Sequence, residues 1–484
     1  MDTDDDVNPP TDPSPGIFGT QHRALTIGLV SIVTLVAFES LAVITILPDI
    51  EDALHGLAWY GWVTTAFFLG TMIGIVFAGG QADRRGAGRP YLIGLVLFAV
   101  GLVVAGAAPS MPVLVIGRFV QGFGAGVVPA IGYVAIGRVY PVEVRPRMFA
   151  VLSTAWVVPG VIGPALSERV SSWIGWRWVF LGLLPLVAVA GSLIIPELMR
   201  LRAPAGATAV DFERQPSWTR RRMVEAMRVA AGAALIVAGF TTTVWLVGPM
   251  LVAGVLVGLA PLRRLIPPGT LRAGAGLPSV VLSRGLLTFA FFGTDTFIPH
   301  ALTDGRGAST FSGSIAVTTS TLGWTVATWI QERFIVRIGE RFFVRISYVT
   351  LAAGIAVVAA ASAFNSLPFW LIHGGWTIGG FGMGLGYAAH SQLTLRCAPA
   401  ERYGTATASL QLFDNLGIAL GAGVAGVVVT FGDDVGWAPG IGVAAALIGT
   451  TVVALIGATV SRRLPPPAGT TRVADRDRLP TLRT

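Results

Sequence analysis

Fourteen predominantly apolar runs recur along this chain, near residues 25–47, 59–79, 91–108, 112–137, 148–167, 176–196, 228–242, 244–262, 277–301, 311–330, 344–363, 367–394, 405–430 and 438–460. Most approach the roughly 20 residues that a helix needs to cross a bilayer. A helix satisfies its own backbone hydrogen bonds, which lipid cannot do for it. The runs therefore predict an all-α polytopic membrane protein. A β-barrel would instead show segments of about 10 residues with alternating polarity, and no such pattern occurs. Only 12% of residues are charged and the mean hydropathy is +0.70, whereas a soluble domain carries roughly 25% charged residues.

The charges that remain fall between the runs. The 34 basic residues are all arginine and the formal net charge is +8. Their confinement to short loops reads as topology and not as a nucleic-acid patch. The densest turn is Gly79 to Arg89, GGQADRRGAGR, and basic residues in short loops stay cytoplasmic. With the N-terminus also inside, the cytoplasmic loops hold Arg84, Arg85, Arg89, Arg138, Arg145 and Arg147 in the first half. They hold Arg263, Arg264, Arg272, Arg333, Arg337, Arg341, Arg345, Arg396 and Arg402 further on, while outer loops carry only Arg169, Arg177 and Arg306. An even number of spans returns the C-terminus to the cytoplasm, so the expected location is the plasma membrane with both termini inside.

The domain reading follows: a disordered cytoplasmic tail over 1–24, a six-helix bundle over 25–196 and a cytoplasmic linker over 197–227. Two accessory helices with a loop occupy 228–272, a second six-helix bundle 273–462, and a disordered tail 463–484. The polar, acidic and Pro-rich start makes the first apolar run a span and not a cleavable signal. The single cysteine, Cys397, excludes an intramolecular disulfide and a cysteine-rich metal site, and no metal or other cofactor is expected.

The two six-helix blocks echo each other at offsets of about 250–260 residues. Gly122-Phe123-Gly124-Ala125-Gly126 matches Gly380-Phe381-Gly382-Met383-Gly384, and Arg84-Arg85-Gly86 with Arg89 is echoed around Arg337 to Arg341. Glu39 in the first span has Asp295 as its counterpart. Repeats of this kind build secondary transporters, with a midplane site between two halves.

These motifs resemble the major facilitator superfamily, most of all its fourteen-helix drug:proton antiporter branch. The family's loop signature G-x-L-A-D-R-x-G-R-[RK] is matched at Gly79, Ala82, Asp83, Arg84 and Gly86, with Gln81 in place of leucine and the last arginine displaced to Arg89. The fourth-span signature is matched by Arg118, Gln121, Gly122, Gly124 and Gly126. Glu39 and Pro48 keep the spacing of the branch's first-span D-x(8)-P, with Glu for Asp. Gly175-Trp176-Arg177-Trp178-Val179-Phe180 is similar to the branch's opening of span six. Gly160, Gly163 and Pro164 resemble its antiporter signature, although Pro159 and Ser167-Glu168 depart from it. The resemblance implies a major-facilitator fold of two pseudo-symmetric six-helix bundles plus two extra central helices.

Intramembrane charges carry the chemistry. Glu39 lies nine residues before Pro48, about 14 Å along a helix, and a charge so placed costs roughly 2.5 to 3.5 kcal/mol on insertion scales. Removal from water favours the neutral carboxyl, as a proton carrier requires, although a protonated acid satisfied inside the bundle also fits. Arg118 needs a buried acid or a backbone cluster to compensate it, and the sequence alone does not name one. Asp295 and Asp414 are further intramembrane acids, with Asp414 standing where the branch often carries an arginine. Arg284 and His390 are expected near span ends. Asp83 with its arginines reads either as a latch between halves or as a determinant of orientation alone. Gly122, Gly126, Gly160, Gly163 and Pro164 are expected to serve helix packing and bending.

The function these features predict is export of hydrophobic or amphipathic small molecules, coupled to H+ and working by alternating access, in a functional monomer within the lipid bilayer. Trp59, Trp62, Trp156, Trp324 and Trp376 suit hydrophobic ligands but are also common as interfacial or packing residues. A carrier of one metabolite or lipid shares the same features. A membrane-embedded transferase would need a catalytic constellation, and the sequence offers no nucleophile–base pairing.

Overall fold

A computed structural model describes residues 16–19, 22–55, 59–200, 216–240, 244–303, 305–308 and 310–466. The described chain is helical, without strands. Its first half comprises α1 (Arg23–Leu54), α2 (Tyr60–Arg85), α3 (Gly88–Gly106), α4 (Met111–Val139), α5 (Arg145–Thr154), α6 (Val157–Ile174), α7 (Arg177–Leu181) and α8 (Leu183–Arg200). Two further helices follow, α9 (Pro216–Phe240) and α10 (Val244–Leu265). The second half comprises α11 (Leu277–Asp295), α12 (Ile298–Thr303), α13 (Thr310–Ile338), α14 (Glu340–Ala363), α15 (Trp370–Cys397), α16 (Tyr403–Asp434) and α17 (Pro439–Val460).

Each predicted apolar run overlies one helix or a broken pair, and ten helical segments among the described residues are long and apolar enough to cross a membrane. The breaks have a local cause. Pro159, Pro185 and Pro299 each sit in the first turn after a break, between α5 and α6, α7 and α8, and α11 and α12. Proline is tolerated there because a first-turn N–H has no intrahelical acceptor, whereas further inside it would clash and remove a bond.

Helix begins earlier than expected in the linker. The polar stretch placed over 197–227 contains the end of α8 and the start of α9, with Arg221 and Arg222 on helix. Residues 201–215, with Arg202 and Arg214, lie outside the described residues, as do 1–15 and 467–484 of the two tails.

Three apolar clusters organise the packing. One unites α1 to α8 and a second unites α11 to α17. The third bridges them: Met72, Ile73 and Val76 of α2 meet Val229 and Ala233 of α9, together with Val281 of α11 and Leu412 and Phe413 of α16. The central helix pair thus lies across the seam between the halves. The pair is itself closely packed, since a Cβ on Gly232 would stand 2.6 Å from the Gly254 carbonyl oxygen.

Candidate functional site

Glycines set the spacing of both halves. A Cβ on Gly122 would stand 2.0 Å from the carbonyl oxygen of Phe67, and one on Gly126 would stand 2.2 Å from that of Thr71. In the second half, Gly380 and Gly384 face the carbonyls of Ser320 and Trp324 at 2.1 and 2.2 Å. These distances leave no room for any side chain, so α4 lies backbone-to-backbone on α2 and α15 on α13. Such close approach is what small residues permit between membrane helices. Gly160 and Gly163 differ: nothing lies within 4 Å of a Cβ at Gly160, and Gly163 meets only the Phe38 ring at 3.5 Å. Among the described residues, neither glycine meets a neighbouring backbone as Gly122 and Gly126 do. Pro164 lies within α6, and its side chain falls outside the described set.

The approach of α4 brings Arg118 to Glu39. Both are buried, at 2% and 1% exposure, and Arg118 Nη1 donates to Glu39 Oε1. Arg118 also donates to Gln121 Oε1 at 2.8 Å and to the Val63 carbonyl at 3.4 Å, and its guanidinium lies over the Phe67 ring at 4.3 Å. The compensating acid that the sequence could not name is therefore Glu39. Glu39 Oε2 and Gln121 Nε2 are buried without a hydrogen-bond partner.

The second half repeats the arrangement with different chemistry. Trp376 lies 258 positions after Arg118, the separation that also relates Gly122 to Gly380. Its Nε1 donates to Asp295 Oδ1 at 2.8 Å. The Trp376 ring stacks on Phe291 at 4.8 Å, Phe291 meets Trp324 at 5.5 Å, and Trp324 meets Tyr387 at 5.1 Å. This aromatic run ends at a second buried ion pair. Arg284 donates from Nε to Asp414 Oδ1 at 2.7 Å and from Nη2 to Oδ2 at 3.4 Å, and Tyr387 Oη donates to Oδ2 at 3.0 Å.

Arg284 and His390 both lie within helices, α11 and α15, and are shielded from solvent, with His390 Nε2 2.9 Å from Ser283 Oγ. The sequence signal was available, since a lone arginine within an apolar run needs an acid. Asp414 supplies it from α16, so the acid in place of the branch's usual arginine leaves a charge pair intact.

At the end of the bundle carrying the arginine turns, Asp83 joins the halves. Its carboxylate accepts from the Gly404 and Thr405 backbone N–H groups and from the Thr405 hydroxyl, each at 2.7 Å. These amides belong to the first turn of α16, which has no intrahelical acceptors and carries partial positive charge. Arg138 Nη2 lies 3.8 Å from Asp83 Oδ1. Gly79 makes the contact possible, because a Cβ there would stand 2.5 Å from the Gly404 carbonyl. Gly86 ends α2 at φ +81°, Arg84 lies in the last turn of α2, and Arg89 is exposed on α3. Away from Asp83, Trp329 Nε1 donates to Thr154 Oγ1 at 3.1 Å, a further hydrogen bond across the seam.

The Major Facilitator Superfamily model matches residues 29–282 and 280–483. The chain belongs to that superfamily. It is 27% identical to a probable multidrug-efflux transporter of Mycobacterium tuberculosis, covering 92% of this chain and 97% of the relative. It is 23% identical to multidrug resistance protein 3 of Bacillus subtilis, over 84% and 80% of the two chains. Among solved structures, a human organic anion transporter covers 91% of this chain and 99% of its own with TM-score 0.67 at 15% identity. A proton:xylose symporter aligns over 92% and 96% with TM-score 0.61 at 14% identity. These two likenesses speak for the fold alone.

This superfamily member is a multi-pass membrane transporter and not an enzyme. Its buried ion pairs belong to opposite halves, Glu39–Arg118 to the first and Arg284–Asp414 to the second, and Asp83 links the two halves. Of the ligand, interface and packing readings open to Trp376, its full burial fits packing, and its indole N–H serves Asp295.

Proposed function

We propose that this transporter exports hydrophobic or amphipathic small molecules across the plasma membrane in exchange for protons. It crosses the membrane fourteen times with both termini cytoplasmic and works as a monomer by alternating access. The names of its relatives support a drug-like substrate. One observation supports the coupling mechanism above all: Glu39 is buried with one oxygen held by Arg118 and the other without a partner.

In this mechanism Oε2 takes up the proton. A neutral Glu39 holds Arg118 less tightly, and the guanidinium is released toward Gln121 and the Val63 carbonyl. Loss of the proton restores the pair, so the acid alternates between carrying H+ and holding Arg118. Asp295 is a second protonation site, with Trp376 as its fixed donor. The contact of Asp83 with α16 supports a state closed at the arginine-bearing end, which the charge distribution assigns to the cytoplasm. Breaking it opens the route inward. The many apolar side chains of the bundle suit a substrate that arrives from lipid.

The test uses proteoliposomes with an imposed pH gradient and ethidium or Hoechst 33342 as substrate. Gradient-driven transport is expected in the wild type and lost in folded Glu39→Gln. A wild type that moves neither dye, and releases no protons on their addition, would instead favour a specific metabolite or lipid as cargo.

A further inference from the structure

A cavity of about 570 Å³ lies between the central helix pair and the second half, at the arginine-bearing end of the bundle. Four arginines line it: Arg221 and Arg222 from α9, Arg264 from α10, and Arg402 from the turn before α16. The acid in its lining is Glu225, which Arg264 engages at 2.6 Å. The lining therefore keeps a surplus of positive charge. Arg221 and Arg402 are exposed and have no carboxylate partner among the described residues. Leu265, Ile266 and Leu277 supply an apolar wall beside the charges.

Four guanidiniums in one recess repel one another, and an apolar wall does nothing to relieve them. Forked N–H donors of this kind match the oxygens of phosphate. Basic pockets between membrane helices on the cytoplasmic side recognise anionic headgroups for the same reason. The adjoining apolar wall fits the start of an acyl chain and adds nothing for a free ion.

We propose that this cavity binds a phosphate-bearing anion, with the headgroup of an anionic phospholipid as the source the apolar wall favours. The site has a mechanical position as well. A smaller void next to it is lined by Gly80, Arg222, Thr405 and Ser409, so Arg222 stands between α2 and α16 beside the Asp83 contact. Arg222 also donates to the Leu265 carbonyl at 3.2 Å. An anion in the cavity neutralises the cluster and holds the central pair onto the seam. The inference does not depend on proton coupling, and its test involves no transport.

The full chain is reconstituted in nanodiscs of phosphatidylcholine with increasing phosphatidylglycerol, and retained lipid is counted by native mass spectrometry. Wild type is expected to retain phosphatidylglycerol about tenfold over phosphatidylcholine, and Arg221→Gln/Arg402→Gln to lose most of that preference. Both side chains are exposed, so the packed core is untouched, and Arg221→Gln alone carries the same test should the double variant not fold. Separate arms add inorganic phosphate or glycerol 3-phosphate and read the thermal unfolding midpoint. Arginine-dependent stabilisation by these ions without phosphatidylglycerol retention would support the site and assign it to a soluble anion. Equal retention of the two lipids with no response to phosphate, or a preference unchanged in the variants, would overturn the proposal.

Discussion

Trp376 stands in the second half where Arg118 stands in the first, and each donates to the acid on the opening helix of its own half. The two acids are thus held by the same scaffold and by opposite chemistry. Glu39 faces a full positive charge. Asp295 faces a neutral indole N–H, and no cation partners it among the described residues. The repeat has kept the geometry of contact while dividing the electrostatic roles.

That division predicts unequal costs for neutralising the two acids. Glu39→Gln leaves Arg118 buried without its counter-charge, and breaking a buried pair from one side costs about 3–5 kcal/mol. Asp295→Asn keeps an oxygen for Trp376 Nε1, so the expected loss is about 1 kcal/mol or less. Unfolding of the purified proteins in a denaturant series ranks them. The assignment fails if Asp295→Asn proves the more damaging change, or if adding Arg118→Gln to Glu39→Gln recovers no stability.

The Asp83 contact predicts a conformational effect. Asp83→Asn removes the charge that caps α16 and keeps the shape, a loss of about 1–2 kcal/mol for a partly buried helix terminus. That is enough to shift a two-state population roughly five- to thirtyfold. Spin labels at the exposed positions Glu143 and Glu401, one in each half, report the separation at that end. The variant is expected to add a longer-distance population to the wild-type distribution. An unchanged distribution would mean that Asp83 fixes orientation without latching.

Much of this architecture was readable from residues alone, for a physical reason. A bilayer demands long apolar helices and leaves charges only where they orient the chain or do work, so spans, loops and intramembrane acids stand out. The repeat was visible because Gly122 and Gly380 must both be glycine at such backbone contacts. What escaped was pairing in space. Arg118 with Glu39 and Arg284 with Asp414 are separated by 79 and 130 residues, and sequence periodicity carries no information on which helix faces which. The same limit explains Gly160: a glycine in a motif is identical in the sequence whether its face meets a backbone or open space.

The glycines give a direct contrast. Gly122→Ala forces a methyl to within 2.0 Å of a backbone carbonyl and must part α2 from α4. Overpacking of this kind typically costs about 1–3 kcal/mol. Gly160→Ala meets nothing within 4 Å and is expected to stay within about 0.5 kcal/mol of wild type. Thermal midpoints of the two variants, measured side by side in one detergent, check the ordering. Equal destabilisation would contradict the backbone-to-backbone contact.

The Arg284–Asp414 pair admits the most discriminating exchange. Arg284→Asp alone places two acids together without a cation, and Asp414→Arg alone places two guanidiniums together, so each is expected to fold poorly, with losses of about 3–5 kcal/mol. The double exchange Arg284→Asp/Asp414→Arg restores one charge of each sign between α11 and α16. It also puts the arginine where the drug:proton antiporter branch usually carries it. Tyr387 sits close to both partners: its hydroxyl donates to Asp414 and its carbonyl accepts from Arg284, so the exchange costs these two contacts and recovers only part of the stability. Expression level and unfolding midpoint should rank the double variant between the wild type and either single change. Stability no better than that of the worse single variant would show that Asp414 is held by Tyr387 and α16 and not by the charge of Arg284.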